Sequence, residues 1–138
     1  MKQFLFSARP WMNDLAIAIL RIVSALMMMT HGWSKLVNFG SRLATFGDPL
    51  GLGPAVSLQL AIFAEFFCAI LLAAGLFTRL SLIPLIITMA VAAFSVHAGD
   101  PFGEKEMALL YLTVFLTLLL TGPGKYSFDY RIGKRKRY

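Results

Sequence analysis

The sequence predicts an all-α fold: a membrane-spanning four-helix bundle with both termini on the cytoplasmic side. Three observations carry that expectation. Of 138 residues, 58% are hydrophobic and only 14% are charged, whereas soluble domains have about 25% charged residues; the mean hydropathy is +0.72. Four apolar runs approach the roughly 20 residues that a helix needs to cross a hydrocarbon core about 30 Å thick. Lys and Arg are unevenly shared between the breaks that separate those runs.

The spans are expected at about residues 15–36, 56–77, 80–96 and 107–121, in one integral membrane domain over 1–138 with a basic tail over 122–138. The first span follows Pro10 and Asp14 and contains Arg21, so it reads as an uncleaved span and not a secretory signal. "NFGSRLATFGDPLGLGP" carries loop chemistry, and "GLFTRLS" is short enough only for a tight hairpin. The third span holds Pro84 near its start, where a membrane helix tolerates it. "HAGDPFGEKE" and "TGPGKYSFD" bound the fourth.

Lys2, Arg9, Arg79, Lys125, Arg131 and the run Lys134 to Arg137 fall on one side. Arg42 and Lys105, with Lys35 at the edge, fall on the other, where Asp48, Asp100, Glu104 and Glu106 offset them. The positive-inside bias therefore puts both termini of a multi-pass membrane protein on the cytoplasmic side. The tail "RIGKRKRY" supplies most of the net charge of +6. Its cations suit anionic lipid, and it is too short for a nucleic-acid reading module, so the expected partner is the bilayer and not nucleic acid.

At 100° per residue, Arg21, Ser24, Met28, His31 and Lys35 share a sector of roughly 80° on the first helix. That stripe should face the bundle interior, because intramembrane ionisable groups avoid lipid. Glu65 lies about 13 Å from the outer end of the second span and His31 about 8 Å from that of the first, at a rise of about 1.5 Å per residue. His97 closes the third span and Glu106 opens the fourth. His31, Lys35, Glu65, His97 and Glu106 thus form a candidate cluster in the outer half, with Glu65 partnered by Lys35 or His31. Arg21, in the inner half, is expected to snorkel to the cytoplasmic face.

No metal site is expected. Met27, Met28 and Met29 beside His31 are consecutive and point in three directions around a helix, which suits packing better than soft-metal ligation. Cys68 is the single cysteine, so it reads as a buried apolar filler and excludes intrachain disulfide or iron–sulfur chemistry. His31 and His97 could sandwich a haem only if His97 lay deeper than the interface, which argues against haem.

The stretches "ALMMMTHGWSKL", "FAEFFCAILLAAGLFTRL", "AVAAFSVHAGDPF" and "YLTVFLTLLLTGPGKYSFD" resemble the DoxX family of small bacterial four-helix membrane proteins. The most specific pieces are His31, Gly32 and Lys35; Glu65 with Gly75 to Arg79; and Thr121 to Asp129. The resemblance implies an association with quinone-linked oxidoreductases or with thiol and superoxide stress complexes. A quinone head group or its protons would then use the outer cluster, with Glu65 as proton acceptor, His31 as relay and Lys35 as the tuning charge. The chain would be at most a subunit of such an enzyme, with a redox partner subunit. The alternative is a non-enzymatic carrier or scaffold for a lipid, small solute or client protein, a class that a distant similarity to surfeit-locus cargo receptors fits. A proton-coupled transporter would need a homo-oligomer, for which Ala73, Ala74, Gly75, Ala90, Ala92 and Ala93 allow close helix contact.

Overall fold

The computed structural model describes residues 12–135. Lys2, Arg9, Pro10, Lys136 and Arg137, which the orientation and leader arguments use, lie outside them. Among the described residues the fold is helical throughout: α1 (Asn13–Val37), α2 (Phe39–Leu43), α3 (Pro54–Ala74), α4 (Thr78–Val96), α5 (Phe102–Thr121) and α6 (Phe128–Arg135). Three of these, α1, α3 and α4, are long and apolar enough to cross a membrane. Helix α5 matches them in length, but Glu104, Lys105 and Glu106 sit in its first turns. It begins at Phe102 and not near Met107, because Pro101 ends the preceding loop in an extended conformation and Glu104 favours the helix N-terminus.

The four long helices share one apolar core built from Met28, Leu72, Leu82, Leu85, Phe115 and Leu118, all at most 1% exposed. Their outer faces stay apolar: Ile19, Val23, Phe67, Ile83, Leu110 and Leu120 are exposed. An apolar exterior over an apolar core is what a lipid solvent permits. The hydroxyls of Thr113, Thr117 and Thr121 on α5 donate to the carbonyls one turn back at 2.9, 2.8 and 2.9 Å, so these polar side chains need nothing from their surroundings.

Two long helices contain a wider, π-type turn: Phe63–Cys68 in α3 and Ala92–Val96 in α4. Such turns re-aim side chains and are frequent at functional sites. The first is held against α1 at Gly32, where a Cβ would come within 2.6 Å of the Phe66 backbone nitrogen. Gly32→Val should therefore force α1 and α3 apart, and loss of monodisperse protein in detergent at unchanged helix content would register it.

The opposite end is tied by Arg21, and here the snorkelling expectation is overturned. Arg21 is 1% exposed, and its guanidinium donates to the carbonyls of Leu72 (3.0 Å), Ala73 (3.0 Å) and Tyr126 (2.7 Å). The last carbonyls of α3 lack partners within the helix, and a buried cation with several donors meets them better than lipid could. Gly75 ends α3 in the left-handed conformation (φ 69°), with Gly75 N–H on Leu72 O and Leu76 N–H on Leu71 O, both 3.0 Å. Any side chain at Gly75 would collide with Arg21 and Ser127. Asp129 then caps α4, accepting from the N–H groups of Phe77 and Thr78 at 2.8 Å each. The "TGPGKYSFD" stretch is thus a clamp on the α3–α4 turn, and the chain beyond it continues as the short helix α6.

Helix α2 interrupts what reads as loop in the sequence. Beyond it, Asp48 accepts from Leu52 N–H (3.0 Å), Gly53 N–H (2.8 Å) and Ser57 Oγ (2.8 Å), fixing the entry to α3. These donors, Gly53 N–H foremost, hold its carboxyl below the ordinary value of 3.8. A depressed carboxyl stabilises this turn above its unfolded value and releases it as pH falls through the folded one. Asp48→Ala should reproduce the acid effect at neutral pH, read as faster amide exchange over 48–57 with the long helices still protected.

Candidate functional site

The ionisable residues of α1 and α3 meet at the end of the fold remote from Arg21. Lys35, on the last turn of α1, forms an ion pair with Glu65, whose carboxylate stands on the π-type turn of α3; the side chains are 19% and 6% exposed. Close contact compensates the burial, which is nearly complete for Glu65 and partial for Lys35.

Two cavities flank the pair. The first is an apolar groove of about 640 Å³ between α3 and α4, walled by residues such as Leu60, Phe63, Pro84, Ile87 and Val91, and roofed by Phe46, Pro49 and Leu50. The second is a smaller chamber of about 270 Å³ between α1, α4 and α5, lined by Met28, His31, Met89, Glu104, Met107 and Tyr111. Lys35, Glu65, Ala92 and His97 line both. The ion pair is therefore part of the partition between a greasy groove and a chamber of mixed character, lined by methionines as well as by His31, His97 and Glu104.

His31 is exposed, and its ring meets Tyr111 edge-on with centroids 6.1 Å apart. His97 is half-buried, its Nδ1 2.8 Å from Asp100 Oδ2, which orients the ring. Glu106 is exposed and lines neither cavity; Glu104, one helix face away, lines the chamber in its place. Arg21 lies at the other end and takes no part. Among the described residues, no group of three His, Cys, Asp or Glu side chains converges to hold a metal ion.

Tyr111 and Glu104 are additions that the ionisable stripe of α1 does not point to. Their signal is helical spacing: Glu104, Ala108, Tyr111, Phe115 and Leu118 recur at three or four residues along α5, and the last four of them are buried. Arg42, on α2, reaches the groove and donates to Ser34 Oγ at 3.0 Å.

Comparison with known proteins places the chain. The family model described as DoxX matches residues 16–98. An uncharacterised Haemophilus influenzae protein is 34% identical over 130 residues, covering 86% of this chain and 92% of its own. The Escherichia coli inner membrane protein YphA is 30% identical over 137 residues (91% and 93%), and inner membrane protein YqjF 28% over 130 residues (90% and 97%). No solved structure matches. Apolar helices of spanning length and inner-membrane relatives covered nearly end to end identify a multi-pass protein of the bacterial inner membrane, and with the family model spanning more than half of its length, this chain belongs to the DoxX family.

Proposed function

We propose that the protein is the membrane subunit of a quinone-linked redox system, with the Lys35–Glu65 pair as the point where the quinone head group docks and exchanges its protons. In this reading all four long helices span, both termini are cytoplasmic, and the pair lies in the outer half. Arg79, Lys125, Arg131 and Lys134 belong to the end opposite the pair, as the positive-inside rule asks of a cytoplasmic face.

One observation carries the proposal: a buried carboxylate with a cationic partner lies on the partition between an apolar groove and a smaller, more polar chamber. Quinone chemistry couples electron transfer to proton transfer, so its head needs proton-exchanging groups while its chain needs lipid-like surroundings. Glu65 is the acceptor, Lys35 the donor and charge partner, and His31, Tyr111 and His97 continue the polar side toward Asp100 and Glu104. Electrons come from a partner subunit, since the chain offers one cysteine and two histidines.

Glu65→Gln tests it. Quinone extracted from purified wild type and absent from an equally folded variant supports the reading. Protein free of quinone in both, with the variant merely less stable, rejects it. The second reading, a binding or carrier protein for a lipid, draws on the groove alone, which is the larger cavity; it predicts that Glu65→Gln leaves a bound lipid in place.

A further inference from the structure

We propose that the α3–α4 groove is a lateral entrance from the bilayer for one isoprenoid chain, with Ala61 on its floor holding the passage open toward the ion pair. The inference rests on the quinone reading for the head group and on the groove for the chain.

The groove's walls and its mouth differ in surroundings. Leu60, Phe63 and Ile87 contribute to it while being 46%, 51% and 53% exposed, so its rim belongs to the lipid-facing surface. Inward it ends at Lys35 and Glu65, where the chamber begins. An amphiphile sliding in from the hydrocarbon would keep its chain in apolar contact throughout and bring only its head to the charged pair. The floor is Ala61, 8% exposed, and the junction is Ala92, on the π-type turn of α4. Methyl side chains line the groove at both points, and a larger residue at 61 would fill space there. The roof, held by Asp48 through Leu52, Gly53 and Ser57, closes the end away from the membrane centre. Apart from Thr88 on the α4 wall, the polar lining residues belong to the ion-pair end and the roof (Lys35, Glu65 and His97; Arg42, Thr45 and Ser57), a distribution that suits an amphiphile with a terminal head.

The test uses the full chain in nanodiscs and three probes: a tail-less benzoquinone, the same head with a decyl chain, and farnesol. With the share of each probe in empty nanodiscs subtracted, the wild type should bind the decyl quinone about tenfold more tightly than the tail-less one, from packing of the chain against the groove walls. Ala61→Phe and the rim variant Ile87→Trp should each abolish that preference while leaving tail-less binding within about twofold. Farnesol that binds the wild type and not these variants, with no quinone bound, upholds the entrance and removes the quinone reading. Equal binding of tailed and tail-less quinone, or a preference untouched by both variants, overturns the entrance. So does a diacyl phospholipid that native mass spectrometry finds retained and that none of the probes displaces. If Ala61→Phe fails to fold, Ile87→Trp at the exposed rim decides alone.

Discussion

Lys35→Met alone should destabilise the protein by roughly 3–5 kcal/mol, the cost of leaving a buried charge without its partner. The double variant Lys35→Met/Glu65→Met should recover most of that loss, because an ion pair replaced by apolar side chains of similar volume is close to neutral in stability. Glu65 has 6% of its side-chain surface exposed and no second partner among the described residues, so the lysine is its only compensation. Thermal unfolding of the three proteins in one detergent checks the ordering. The comparison also separates two roles for the pair. A clasp that only fixes helix pairing is dispensable once the double variant is stable, whereas a docking site is lost in both variants whatever their stability.

Arg21→Met should lower stability by about 3 kcal/mol and free the α3–α4 turn. Hydrogen bonds to a charged donor contribute about 1.5–3 kcal/mol each, and this guanidinium makes three of them, to Leu72, Ala73 and Tyr126. Relief of burying the cation offsets part of the sum. The lesion is local, so amide exchange should rise first at residues 75–79 and 126–129, where Gly75 accepts from Asp129 N–H and Asp129 caps α4. Arg21→Lys, with a single ammonium in place of the planar fork, should fall between the two. An Arg21→Met variant that unfolds like the wild type would contradict the clamp.

Composition and hydrophobic run length suffice to read the helical, membrane-embedded class, because a lipid solvent leaves so few alternatives to the helix. Helix arithmetic on α1 puts Arg21, Ser24, Met28, His31 and Lys35 on one interior stripe; the first three are buried and Lys35 is half-buried, but His31, near the helix end, is exposed. The same arithmetic says nothing of partners: it groups Arg21 with Lys35, yet one clamps carbonyls at one end and the other meets Glu65 at the far end. Arg21 escapes a reading by side-chain length because its acceptors are backbone groups 51, 52 and 105 residues away. The π-type turns, which aim Glu65 and open the space beside Ala92, leave no periodicity that a sequence pattern reports. Helices α2 and α6 are too short and too polar at one face to stand out between Gly-rich stretches. Both cavities are spaces between elements, so they exist only once the helices are packed.

The most direct test is a redox-induced infrared difference spectrum of the purified protein with its quinone, recorded for wild type and Glu65→Gln at equal fold. A carboxyl band that changes as the quinone is reduced in the wild type, and is missing from the variant, is the predicted result. A band that persists in Glu65→Gln, or a wild type with no quinone signal, would contradict the assignment of Glu65 as the proton-exchanging group.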